Sequence, residues 1–418
     1  MRKPAVHDIL PHKFPDVSPL YNDDDAIIYG FGGYGQDIVR IEVIFEAGRW
    51  TENKFSVASA CANLAKSGTA DWSSFQLSEK IDYYGAEIKA IAGYNTFTFS
   101  CHCMLKHLEP VLALMKVCME DIIFPDHELE IYKKNTLSKL KVSQEKTDYH
   151  ADKYFRAALF GDTHPYGYSS SEQTIKAIER EDILQYYRSL HTLKPMILLS
   201  GNYGATHLSL VQRYLLSTHK IGAAAPKSDF PIISSVERSI HIPVPKSVQA
   251  TITIGKRIFG RMDDQFPAFV LLNTILGGYF GSRLMTNIRE EKGYTYGIYS
   301  AWQSFRHDHL LYINTDTDKK YSDDCVKEIF WEMQRLQEEE IQEEEMMLAK
   351  NYLMGRLLQR IDGPFNLSAT FKDYYTESTP MDKFFTISRG IKEAEAVTLK
   401  SLAQELLNKD SFYTIIAG

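Results

Sequence analysis

The chain has 418 residues, 44% hydrophobic and 24% charged, with a formal charge of −7. That length exceeds one ordinary core and suits two soluble globular domains. No basic stripe argues for nucleic acid, and no apolar run approaches the ~20 residues needed to cross a bilayer, so neither nucleic acid nor a membrane is an expected partner.

The opening residues, from Met1 to Asp8, lack the apolar core of a secretory signal. Five cysteines (Cys61, Cys101, Cys103, Cys118 and Cys325) are odd in number and unevenly placed, which fits reduced thiols and a cytoplasmic location. Asp23-Asp24-Asp25 lacks the spaced oxygens of a calcium loop and reads as a solvated turn. Residues 38–45 alternate as a strand, and a small-residue helix is expected over 55–67. A second helix ends at Gly85, and aromatic-rich strands run from Ile91 to Cys103. On such a strand Cys101 and Cys103 share one face while His102 points away, so the three cannot close round one metal ion.

This order recurs about 208 residues later, the separation of Gly85 from Gly293. Val248 to Gly255 repeats the first strand, Tyr294 to Asn314 repeats the aromatic strands, and apolar segments 196–201 and 413–418 each end on Gly. The pattern predicts a first domain over 1–216, a linker over 217–232 interrupted by Gly222 and Pro226, and a second domain over 233–418. Strand clusters mixed with long helices such as 340–360 predict α+β domains, each a mainly antiparallel sheet covered by helices. Glu338–Glu340 and Glu343–Glu345 are expected at a helix start, where negative charge suits the dipole. His307 and His309 read as surface histidines sharing a strand face.

The richest segment runs from Gly277 to Ser300. It reads as a Gly-rich entry, an amphipathic helix, a left-handed cap at Gly293 and a Tyr-rich strand. Arg289 falls in the last helical turn and Tyr296 on the departing strand, so a guanidinium and a phenol could serve one carbonyl oxygen or oxyanion.

The pattern G-S-R-L-x-x-x-I-R-E-x-x-G-x-x-Y, ending at Tyr296, resembles the second domain of the pitrilysin/insulinase family of zinc peptidases, which includes the mitochondrial processing peptidases. Leu159-Phe160-Gly161-Asp162-Thr163-His164-Pro165-Tyr166-Gly167 and the run 347–358 extend the resemblance over most of the chain. It implies two similar domains of the LuxS/processing-peptidase-like type, closing with a second subunit or half around a peptide. It also implies that Arg289 and Tyr296 bind substrate and stabilise a tetrahedral intermediate.

Family catalysis rests on an inverted motif, H-x-x-E-H, with a further Glu downstream. Counting back from Gly68-Thr69 places those positions on Ser59, Ala62 and Asn63, while the downstream Glu falls at Leu137–Leu140, around Lys139. A hydroxyl, a methyl, an amide and a cation make a poor zinc site. No H-x-x-E-H occurs in the sequence. The resemblance therefore implies a subunit with no metal of its own, inactive alone, that supplies Arg289 and Tyr296 opposite a metal-bearing paralogue holding the zinc. The alternative is a non-catalytic peptide-binding or structural homologue that self-associates, with a homodimer possible in isolation.

Overall fold

A computed structural model describes residues 10–33, 35–216 and 229–418. Residues 217–228 of the expected linker lie outside the described residues, and 229–232 have no regular structure. Among the described residues the strands form two sheets. The first joins β1 (Tyr21–Asn22), β2 (Ile27–Gly32), β3 (Ile38–Phe45), β4 (Glu87–Ala92), β5 (Phe97–Met104) and β6 (Met196–Gly201), in the order β1-β2-β6-β3-β5-β4. The second joins β7 (Ser239–Ile242), β8 (Gln249–Ile258), β9 (Thr295–Ser304), β10 (His309–Asp318) and β11 (Tyr413–Ala417), in the order β7-β11-β8-β10-β9. Pairing is antiparallel except for β2 with β6 and β7 with β11. This is the expected α+β class, two helix-covered sheets.

Alternation places the side chains. Val39, Ile41, Val43 and Phe45 of β3 enter a core with Phe97, Phe99, Cys101 and Cys103 of β5. Helices Val57–Asn63, Leu108–Glu120 and Arg180–Leu190 cover that face. In the second sheet Ile252, Ile254, Leu311 and Ile313 face a core closed by helices Phe266–Asn273, Ser322–Glu338 and Ala396–Leu406.

The opposite faces are covered crosswise. Helix Thr147–Phe160, from the first half, lies on β8 and β11 of the second sheet. Helix Gly363–Thr376, from the second half, lies on β2 and β6 of the first. Lys372 Nζ reaches Glu42 at 2.6 Å, and Arg40 donates to the Phe365 carbonyl at 2.7 Å. Phe14, Phe31, Ile44, Met196 and Leu198 consequently belong to the same core as the second sheet.

Several local expectations need correcting. The small-residue helix spans only Val57–Asn63, because Ser56 adopts a left-handed conformation (φ 73°) ahead of it and a turn follows towards Gly68 (φ 121°). The hairpin after Gly85 starts earlier than expected, at Glu87. Helix Ser322–Glu338 ends on Glu338, and the next helix starts at Glu343, so only Glu343–Glu345 occupy a helix start; Glu339 instead pairs with Arg335. His307 lies in the turn between β9 and β10, its ring tilted against Trp50 with centroids 4.2 Å apart, whereas His309 opens β10 and bonds Ser304 Oγ at 2.8 Å. The two histidines therefore do not share a strand face.

Candidate functional site

The helix Val57–Asn63 carries all three positions aligned with the metal motif. Ser59 is half-buried, Ala62 is packed into the first core, and Asn63 is exposed. Asn63 Nδ2 donates to the Ser59 carbonyl at 2.8 Å, so the amide closes on its own helix. Lys139 is exposed on helix Asp126–Ser143. The residues present do not fit a zinc ion. Among the described residues no group of three His, Cys, Asp or Glu side chains could hold a metal.

The start of this helix contains a carboxylate that sequence reasoning missed. Glu52 accepts the backbone N–H groups of Ser56 (3.2 Å) and Ala58 (3.0 Å), and Tyr168 donates its hydroxyl to the same carboxylate. A carboxylate there meets unpaired N–H groups and the positive end of the helix. Burial nevertheless raises the Glu52 pKa above its usual value, against the lowering effect of these bonds. Ser56 Oγ and Ser170 Oγ, 2.8 Å apart, hold the strained Ser56 turn. Glu52 lies five residues ahead of the helix, outside ordinary N-cap spacing, so only its proximity to a small-residue helix hinted at it.

The second half positions the donor pair. Two π-helical segments, Thr274–Gly278 and Met285–Glu291, flank the glycine-rich loop. Such segments are rare and concentrate at functional sites. The second carries Arg289 and is capped by Gly293 in the expected left-handed conformation (φ 66°). The Lys292 N–H bonds the Asn287 carbonyl and the Tyr294 N–H bonds the Ile288 carbonyl, closing the wide turn. Arg283 forks onto Glu345 at 2.8 and 2.9 Å, pinning the helix start to helix Glu343–Arg360.

β9 contains a bulge. Ile298 pairs with Thr315 and Thr295 with Thr317, so Tyr296 and Gly297 together oppose Asp316. Thr295 Oγ1 donates to the Asp316 carbonyl (2.7 Å), and Thr315 Oγ1 donates to the Gly297 carbonyl (2.9 Å). The bulge therefore projects Tyr296 outward, and its side chain is 94% exposed. Arg289 is half-buried, with its guanidinium 4.6 Å from the Phe280 ring centroid, and makes no hydrogen bond or ion pair to a described residue. The π-helix that carries Arg289 packs against β9, which carries Tyr296. Two free donors carried on braced backbone can polarise a carbonyl or stabilise an oxyanion.

The molecule thus has two helix-covered sheets, with Ser59, Ala62 and Asn63 on a helix of one half and Arg289 and Tyr296 in the other. Residues 34–168 match the insulinase (peptidase family M16) model, and residues 177–353 match the peptidase M16 inactive domain. The chain belongs to the insulinase family, M16, as a member lacking the H-x-x-E-H motif. It is 21% identical over 358 residues to an uncharacterized zinc protease, YmxG, of Bacillus subtilis, covering 84% of this chain and 85% of that one. It is 22% identical over 312 residues to a non-peptidase homolog, YmxG, of Helicobacter pylori, covering 73% and 71%. A peptidase M16 inactive domain from Pseudomonas fluorescens superposes with a TM-score of 0.82 at 21% identity, covering 97% and 98% of the two chains.

Proposed function

We propose that the chain is the metal-free subunit of a heterodimeric zinc peptidase, inactive alone, and that Arg289 and Tyr296 act on a peptide bound opposite a paralogous subunit's zinc. The observation that carries this reading is the contrast between the halves. Asn63 folds back onto its own helix and Ala62 is sealed in a core, whereas Arg289 and Tyr296 keep their donors unspent. A free guanidinium and an outward phenol serve no evident folding purpose.

In the assembled enzyme both groups donate hydrogen bonds to the scissile carbonyl oxygen, more strongly as it gains negative charge. An extended peptide, adding to a sheet edge, presents its carbonyls in the required row. The five buried, unpaired cysteines fit work in a reducing cytoplasm.

The test is turnover of a fluorogenic peptide by the chain mixed with a paralogue bearing an intact H-x-x-E-H. The chain alone is expected to be inactive and the mixture active. Arg289→Ala and Tyr296→Phe should each lower kcat roughly 100-fold, the usual cost of one such donor. Wild-type turnover in both variants would reject the assignment; stable self-association with no response to a paralogue would favour a structural homologue.

A further inference from the structure

We propose that Phe280 is a positioning residue for Arg289: its ring holds the guanidinium plane in the orientation used on substrate. This rests on the Arg289/Tyr296 assignment above and adds to it a residue outside the donor pair.

The Arg289 guanidinium lies over the Phe280 ring at 4.6 Å, within the range of a cation–π contact, and has no polar partner among the described residues to fix its rotation. A flexible arginine without an anchor spreads over many rotamers, and ordering it at the transition state would cost conformational entropy. A ring face restrains the plane and leaves the N–H edges free, which a carboxylate partner would not. Phe280 is itself 63% exposed, so its ring face is open to the guanidinium.

The loop carrying the ring is fixed. A Cβ added at Gly277 would meet Ser300 N at 2.6 Å and Ser300 Cβ at 2.7 Å, so this backbone lies directly on β9. Asn273 holds the same serine, accepting from Ser300 Oγ and donating to the Ser300 carbonyl at 3.3 Å. On the other side of the loop Tyr279 packs on Tyr352, ring centroids 5.4 Å apart. Ser300 lies four residues beyond Tyr296 on β9, so the backbone leading to the ring beneath Arg289 is packed on the strand that carries Tyr296.

A double-mutant cycle on the heterodimer, with an internally quenched fluorogenic peptide as probe, tests this. Phe280→Leu is expected to lower kcat about fivefold with little change in KM, the size of one exposed cation–π contact plus some lost order. Phe280→Trp should restore the rate. Phe280→Leu in an Arg289→Ala background should cost nothing further. In the isolated chain, the Arg289 Nε–H proton resonance should be ring-current shifted in wild type and lose that shift in Phe280→Leu. If Arg289→Ala lowers kcat but Phe280→Leu does not, or if the two losses multiply, the positioning role is wrong while the donor assignment stands. If Arg289→Ala has no effect, both fail. An unshifted Nε–H in wild type also rejects the positioning role.

Discussion

Asn63 shows at the residue scale why this helix is not a damaged zinc site awaiting metal. Its amide bonds the Ser59 carbonyl, and the intervening motif position, Ala62, is a buried methyl group. Restoring two imidazoles through Ser59→His and Asn63→His puts them one helical turn apart, and the sequence expectation sets the downstream carboxylate position around Lys139. A triple variant that adds Ala62→Glu is therefore expected to retain zinc weakly, with tighter retention when Lys139→Glu is included. Calorimetric titration with zinc checks the order, and equal affinity with and without the lysine would contradict it.

Glu52 gives a pH prediction. Its carboxyl pKa is raised in the folded chain by burial above the unfolded value of about 4.3. The folded state thus binds this proton more tightly. The stabilisation is fully present below the unfolded pKa and is lost as pH rises through the raised folded value. The Tm of wild type minus that of Glu52→Gln should fall between mildly acidic and neutral pH; a difference that rises over that interval would contradict the burial argument. Arg289 and Tyr296 could be singled out in the sequence because they sit at a fixed spacing inside one pattern, and Ser59, Ala62 and Asn63 because they are counted from Gly68-Thr69. Glu52 was not legible, because its partners are backbone N–H groups and Tyr168, which lies 116 residues away.

At the scale of elements, the donor pair depends on two irregularities that periodicity does not register. The helix before Gly293 is π-helical and β9 is bulged, and neither leaves a mark beyond the glycines at 293 and 297. Gly293 has φ 66° with open space around a hypothetical Cβ, so Gly293→Ala should cost about 1 kcal/mol through backbone strain alone. Thermal denaturation should show a modest fall in Tm. Thr315→Val keeps the buried shape and removes the hydroxyl that holds the Gly297 carbonyl. It should cost about 1 kcal/mol of stability and lower heterodimer turnover further than that loss explains, because the bulge aims Tyr296. Turnover tracking stability alone would deny the bulge this role.

The whole molecule is held by an exchange of helices that no local pattern announces. Helices Thr147–Phe160 and Gly363–Thr376 each cover the other half's sheet. A sequence repeat shows two similar units but not which sheet a given helix will cover, since both sheets offer comparable apolar faces. Phe14, Phe31, Ile44 and Leu198 are buried with residues of the second sheet, so the first sheet has one face in a core of its own half and shares the other face with the second half. Calorimetry should give one cooperative unfolding transition. A fragment ending at residue 216 should bind hydrophobic dye through its uncovered sheet face and melt below the intact chain; two separate transitions in the intact chain would contradict the shared core.

The division of labour between two chains is the central claim, and zinc stoichiometry in the purified heterodimer tests it most directly. The account predicts one zinc per pair of chains, lost when the paralogue's motif histidines are replaced and unchanged by substitution of Ser59 or Asn63. Zinc bound tightly by this chain in isolation, at the Ser59–Asn63 turn and accompanied by peptide hydrolysis, would contradict it.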